Sequence, residues 1–170
     1  MEKIYLAGGC FWGLEKFLNL IDGVEATTVG FANGNEDTAP SYKQVCTDTT
    51  GFVETVEVGY NPKKISLKFL IETFFKAIDP TSLNRQGGDT GTQYRTGIYY
   101  VNNRDKEIIQ QELIRLQKEY DKKIVVENLP LKNYYLAEDY HQKYLVKNPG
   151  GYCHIDNSIY ELAKNAKETD

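Results

Sequence analysis

Leu14, Phe17, Leu18 and Ile21 recur at the i, i+3, i+4, i+7 spacing of a helix face, only a few residues after the apolar run KIYLA at 3–7. Gly8 and Gly9 lie between the two patterns, so a strand hands over to a helix through a two-glycine turn. A helix that starts so close to a strand must fold back over that strand's sheet, which commits the chain to layered β and α structure.

The rest of the chain continues the pattern. VEATTVGFA at 24–32 reads as a second strand, and NGNEDTAPSYKQ is a polar, Gly- and Pro-bearing loop of the kind that carries function. FVETVEVGY at 52–60 alternates as a third strand. SLKFLIETFFKAI at 66–78 begins on a capping serine and has apolar residues at 67, 70, 71, 74, 75 and 78, the pattern of an amphipathic helix. After the turn-rich DPTSLNRQGGDTGTQ, a fourth strand is expected at 94–101, a helix at 103–121 with Ile109, Leu113, Leu116 and Tyr120 on one face, and a short strand in KIVVENL. The expected class is a mixed α/β or α+β layer with helices packed on the sheet and right-handed βαβ units. At 170 residues one domain with a sizeable core is expected over 1–170, with 147–170 as a mobile C-terminal tail.

Composition narrows the partners. A net charge of -4, with lysines mixed among acids, leaves no basic footprint for nucleic acid. No apolar run approaches the ~20 residues of a membrane span, and the apolar segment of MEKIYLAGG is too short for a secretory h-region, so a cytoplasmic protein is expected. Three cysteines, Cys10, Cys46 and Cys153, are an odd number that in a reducing compartment suits catalytic or inert thiols better than structural pairs. No metal is expected: the chain has no C-x-x-C and no H-x-x-x-H, and Cys153 and His154 are adjacent. Phosphatase chemistry fails because Lys16 stands where the phosphate-loop arginine is required, and AGGCFWG lacks the third glycine of a dinucleotide fingerprint.

Three residues draw a chemical reading. Cys10 falls at the first turn of a helix, where free N–H groups and the dipole favour the thiolate, although a buried core cysteine fits the position equally well. Glu54 shares a strand face with Phe52, Val56, Val58 and Tyr60, a carboxylate amid apolar residues whose desolvation would keep it a neutral acid; a register one residue out, or a pairing with lysine, is the alternative. Cys153, loosened by Gly150 and Gly151, either swings to a reactive cysteine or has no role. Cys46 reads as a buried structural thiol, and Phe11 and Trp12 read as core aromatics unless one of them walls a site.

With these residues assembled, the chain resembles the A-type peptide methionine sulfoxide reductases from about Ile4 to Tyr144. GCFWG is joined in order by PSYKQVC, TGFVE, NPKKIS, DPTSLNRQGGDTGTQYRTGIY and DYHQKYL. The resemblance implies a two-layer α/β sandwich on a ferredoxin-like βαβ core with a mixed sheet and a long irregular C-terminal segment. It also implies that Cys10 attacks the sulfur of methionine S-sulfoxide, that methionine leaves, and that Cys10 remains as a sulfenic acid. Glu54 matches the family's acid, and Tyr42 and Tyr94 match the hydroxyls that bind the sulfoxide oxygen. Phe11 and Trp12 match the wall for the substrate methyl, and Asp89 an orienting carboxylate. Cys153 matches the resolving cysteine, whose disulfide thioredoxin reduces, so no bound cofactor is implied, only an external thioredoxin or dithiol. The implied substrates are oxidised proteins or peptides. Phe31 and Phe52 stand where tyrosine and histidine are usual, and Ile78 where a histidine is often found. An apolar Phe52 would strengthen the desolvation of Glu54. A methionine-peptide binding module and a general thiol oxidoreductase are the competing classes; the second lacks the C-x-x-C such work uses.

Overall fold

A computed structural model describes residues 1–35, 37–151 and 155–168. The chain runs β1 (Glu2–Ala7), α1 (Phe11–Asn19), β2 (Val24–Ala32), α2 (Tyr42–Val45), β3 (Val53–Tyr60) and α3 (Leu67–Phe75). A small hairpin of β4 (Arg85–Gln86) and β5 (Asp89–Thr90) follows, then β6 (Gly97–Tyr100), α4 (Asn103–Gln117), β7 (Glu127–Pro130), β8 (Tyr134–Leu136), α5 (Tyr144–Lys147) and α6 (Asn157–Asn165). Two short 3-10 turns, Thr92–Tyr94 and Asp139–His141, interrupt the connections.

The main sheet has the order β7-β6-β1-β3-β2-β8. Only β6 and β7 run parallel, so the sheet is mixed and the architecture is α+β. Alternation divides each strand between two unequal faces. Ile4 and Leu6 of β1, Val29 and Phe31 of β2, and Val56, Val58 and Tyr60 of β3 join the main core. There they meet Leu14, Phe17 and Leu18 of α1 and Leu70, Ile71 and Phe74 of α3. Tyr5, Ala7, Ala32, Val53 and Tyr99 form a smaller cluster on the opposite face. Each fully buried side chain of this size stabilises by about 1.5–3 kcal/mol, so the helix-bearing face holds the fold together.

Local sequence sets the helix starts. Ser66 accepts from the Phe69 amide at 3.1 Å to cap α3, and Ser41 and Gln44 form a reciprocal capping box at α2. The expected strand at 94–101 begins only at Gly97, because residues 92–94 coil into a 3-10 turn. Arg95 locks that turn by donating to the carbonyls of Thr92 (2.9 Å) and Gly51 (2.8 Å). The helix expected at 103–121 stops at Gln117, whose carboxamide bonds the carbonyls of Tyr120 and Lys122 and the amide of Ile124 and so turns the chain away.

The C-terminal segment is less irregular than expected. Pro149, Gly150 and Gly151 follow α5, but α6 buries Tyr160 and Ala163 in the main core, and the Tyr160 hydroxyl donates to the Gly13 carbonyl at 3.4 Å. Glu168 accepts from the Ser66 amide and hydroxyl, both at 2.7 Å. Among the described residues no helix is long and apolar enough to cross a membrane.

The glycine turn between β1 and α1 has a separate reason for each residue. A Cβ on Gly8 would lie 2.6 Å from Cγ2 of Ile78, while Gly9 sits at φ +82°. Gly9→Ala is expected to lower stability by about 1–2 kcal/mol in urea unfolding, the cost of a left-handed L-residue; a change of a few tenths would mean that the turn relaxes.

Candidate active site

β1 and β3 are antiparallel neighbours, so the end of β1 lies beside the start of β3. The turn at Gly8 and Gly9 then sets Cys10 at the N-cap of α1, against Glu54. The Phe11 amide, one of the free N–H groups of the helix's first turn, donates to Glu54 Oε1 at 3.2 Å. Gln93, on the 3-10 turn, donates from Nε2 to the other carboxyl oxygen, Oε2, at 3.3 Å. Glu54 is 1% exposed, on the face that carries Phe52, Val56, Val58 and Tyr60, which is the register the alternation implies.

Burial dominates its electrostatics. Desolvation pushes Glu54 up to about 8, against the amide of Phe11 and the carboxamide of Gln93, which favour the anion. The acid is therefore largely protonated at neutral pH. Cys10 follows the buried alternative for the same reason. Burial first, then the Glu54 carboxyl, raise its thiol well above the ordinary range, while the amides of Trp12 and Gly13 pull weakly the other way. Burial thus outweighs the first-turn amides that the helix terminus offers. The resting site pairs a neutral thiol with a neutral acid.

Two phenols complete the cluster. Tyr42, at the start of α2, and Tyr94, at the end of the 3-10 turn, lie near enough to interact electrostatically, and desolvation, then Glu54, raises both well above the usual phenol range. The loop carrying Tyr42 is tied down by Glu138, which accepts from the Tyr42 amide at 3.2 Å. The turn carrying Tyr94 is held by Asp48, which accepts from the Thr92 amide at 2.8 Å, as well as by Arg95. Asp89, on β5, is half-buried and near enough for its charge to raise Cys10, Glu54 and Tyr94. Cys10, Glu54, Tyr42, Tyr94 and Asp89 thus share one site, whereas Cys153 lies outside the described residues.

The aromatic pair divides. Phe11 is 1% exposed and packs on Phe31, with ring centroids 5.6 Å apart, as a core residue. Trp12 is half-buried; its indole stacks on Tyr144 at 3.7 Å and 13°, and its Nε1 donates to Nδ1 of His141 at 2.9 Å. Cys46 is exposed rather than buried, because it is the C-cap of the four-residue surface helix α2; its sulfur accepts from Gln93 Nε2 at 3.6 Å.

Gln93, His141 and Tyr144 carried no role in the sequence, though GTQYR holds the first and DYHQKYL the other two. His141 is buried, and because its Nδ1 accepts the Trp12 proton its own proton must sit on Nε2, a buried donor with no acceptor among the described residues. Burial lowers its pKa, which keeps the ring neutral. The signal that could have found it is its place as one of two histidines amid tyrosines. Among the described residues no group of three or more His, Cys, Asp or Glu side chains could hold a metal ion. A cavity of about 520 Å³ opens elsewhere, between Phe75 of α3, Arg115 of α4, Tyr120 just beyond it and Leu162 of α6, and contains no member of the Cys10 cluster.

The family model described as peptide methionine sulfoxide reductase matches residues 2–170. A peptide methionine sulfoxide reductase MsrA from Clostridium acetobutylicum is 55% identical over 159 residues, covering 94% of this chain and 98% of that protein. The crystal structure of reduced Mxr1 from Saccharomyces cerevisiae superposes with a TM-score of 0.86 at 41% identity, over 90% of this chain and 88% of that one. Mxr1 in complex with Trx2 is similar at a TM-score of 0.60 and 28% identity, over 91% and 86% of the two chains. With a family match over nearly its whole length and a buried thiol set against a buried acid, this chain belongs to the peptide methionine sulfoxide reductase family.

Proposed function

We propose that this protein reduces methionine S-sulfoxide in proteins and peptides, with Cys10 as nucleophile, Glu54 as proton donor and thioredoxin or another dithiol as the final reductant. The observation that carries the reading is the neutral acid beside the thiol: Glu54 is pushed up to about 8 by burial and held by two N–H donors next to Cys10.

The chemistry follows from that pairing. A sulfoxide oxygen carries partial negative charge and accepts from the hydroxyls of Tyr42 and Tyr94, whose burial keeps them donors. Glu54 gives its proton to the oxygen, which makes the sulfur electrophilic, and the resulting carboxylate takes the proton that the Cys10 thiol loses on attack. Oxygen passes to Cys10 as a sulfenic acid and methionine leaves, so the methionine sulfur is reduced by two electrons and the cysteine sulfur oxidised by two. Because both groups are neutral at rest, charge develops only when substrate is present. Trp12, backed by Phe11, supplies the apolar wall for the substrate methyl, and Asp89 orients the substrate backbone.

In recycling, Cys153 attacks the Cys10 sulfenic sulfur, water leaves, and the disulfide goes to thioredoxin. The described helices α5 and α6 both pack on α1, the helix that Cys10 caps, which supports this reading. Movement of the 147–170 tail within one domain of 1–170 belongs to this proposal, as does a cytoplasmic location, where thiols stay reduced. The path β1-α1-β2-β3-α3-β6 with strand order β6-β1-β3-β2 favours a ferredoxin-like core in a two-layer sandwich.

Cys10→Ser is expected to abolish dithiothreitol-driven reduction of the S epimer, read by chromatography of methionine; turnover surviving in Cys10→Ser would sink the reading, and binding without turnover in the parent would favour a methionine-binding module. Cys153→Ser should keep the dithiothreitol-driven rate and lose the thioredoxin-driven one, whereas equal loss of both would put Cys153 in the chemical step. Glu54→Gln should cut kcat/KM by about 10²–10⁴-fold. Since Glu54 moves from an ordinary 4.5 to about 8, its burial costs nothing at low pH and destabilises increasingly as pH rises between those values. Glu54→Gln should therefore gain stability over the parent between pH 5 and 9, by up to about 1.4 kcal/mol per pH unit. An equal difference at both pH values, by urea unfolding, would mean an ionised Glu54 throughout.

A further inference from the structure

We infer that Glu15 is a positioning residue that sets the Trp12 wall, acting through Lys143 on the segment that holds the indole. Glu15 lies on α1 one turn beyond Cys10 and is 2% exposed, yet nothing in the reaction uses it. Its Oε1 accepts from the main-chain amide of Lys143 at 2.8 Å, and its Oε2 accepts from Lys143 Nζ at 2.8 Å and from the Thr27 hydroxyl at 2.9 Å. Lys143 Nζ in turn donates to the carbonyl of Thr27 at 2.7 Å, so the cluster joins α1, β2 and the 141–144 segment at one buried carboxylate.

The segment needs that anchor because its geometry is unfavourable by itself. Lys143 stands at φ +54°, a left-handed conformation that costs an L-residue with a long side chain about 1–2 kcal/mol. Gln142 pins the same stretch to the edge of β2, accepting from the Val29 amide at 2.9 Å and donating to its carbonyl at 2.8 Å. The turn at residue 143 then places His141 and Tyr144 around one indole: His141 accepts its N–H, and Tyr144 covers its face. Without the Glu15 anchor the chain at 143 is free to leave the left-handed region, and the Trp12 ring loses the contacts on both its edge and its face. Removing Glu15 leaves no buried orphan charge, since the Lys143 side chain is 40% exposed and its amine can turn to water.

The inference rests on the reading of Trp12 as the substrate wall, but one of its readouts needs no activity. Trp12 is the only tryptophan among the 170 residues, so emission and acrylamide quenching report that indole alone. Glu15→Met is expected to fold with parent circular dichroism, to shift emission to the red and increase quenching, and to raise KM for a methionine sulfoxide peptide about tenfold with kcat changed far less, as expected when positioning rather than chemistry is lost. Glu15→Gln, which keeps an acceptor for the Lys143 amide, should recover part of both signals. Lys143→Gly, which suits the positive φ while deleting the amine, should show the same red shift and tests the inference should Glu15→Met fail to fold. Parent emission and parent KM in a folded Glu15→Met, or kcat and KM falling together with emission unchanged, would overturn it. A red shift in a protein that reduces no sulfoxide would leave the Glu15 inference standing and defeat the proposed reaction instead.

Discussion

A carboxyl group buried on the apolar face of β3 is the interaction on which the site depends. Burying a carboxylate without a partner is expensive, so Glu54 is kept largely neutral and both its oxygens accept from N–H groups. One donor is the first amide of α1, which fixes where that helix begins and therefore where Cys10 sits. The other is Gln93, which binds the 3-10 turn to β3 and carries Tyr94 with it. A single desolvated acid thus couples a strand, a helix terminus and a loop, and the same burial that keeps it largely neutral also raises the neighbouring thiol.

Ion pairs on the outside of the molecule, such as Lys68 with Glu72, add little, because water screens them and long side chains lose entropy in forming them. The buried polar contacts act differently. Arg95 joins Gly51, Thr92 and Glu127, and Glu15 joins Thr27 and Lys143. Each ties an irregular segment to the sheet or to α1, and each segment so tied carries site residues: Tyr94 and Gln93 in the first case, His141 and Tyr144 in the second. Packing of the main core supplies the stability, and these polar ties supply the geometry.

Much of this was legible before the structure. Period-2 alternation put Glu54 among Phe52, Val56, Val58 and Tyr60, and a serine before an apolar helical repeat gave the start of α3, because both signals depend only on backbone period and a local cap. The strand expected from Tyr94 failed because Arg95, through contacts with residues distant in sequence, holds 92–94 in a 3-10 turn. Cys46 was misplaced for a similar reason: an apolar neighbour at Val45 says nothing about which side of a four-residue helix faces water. For His141 the sequence offered only its rarity as one of two histidines, since its partners Trp12 and Tyr42 are far from it along the chain.

By itself the sequence determined the order of the long strands and helices from β1 to α4, the glycine turn before Cys10, the placing of Glu54 on an apolar face and, through its ordered motifs, the family. All of these are local in the chain or a matter of residue pattern. Only the tertiary structure decided the protonation of the site. A helix terminus favours a thiolate and a buried carboxyl opposes it, and which prevails depends on how much water the folded chain removes from both. The fold removes nearly all of it, and the neutral pair is the result.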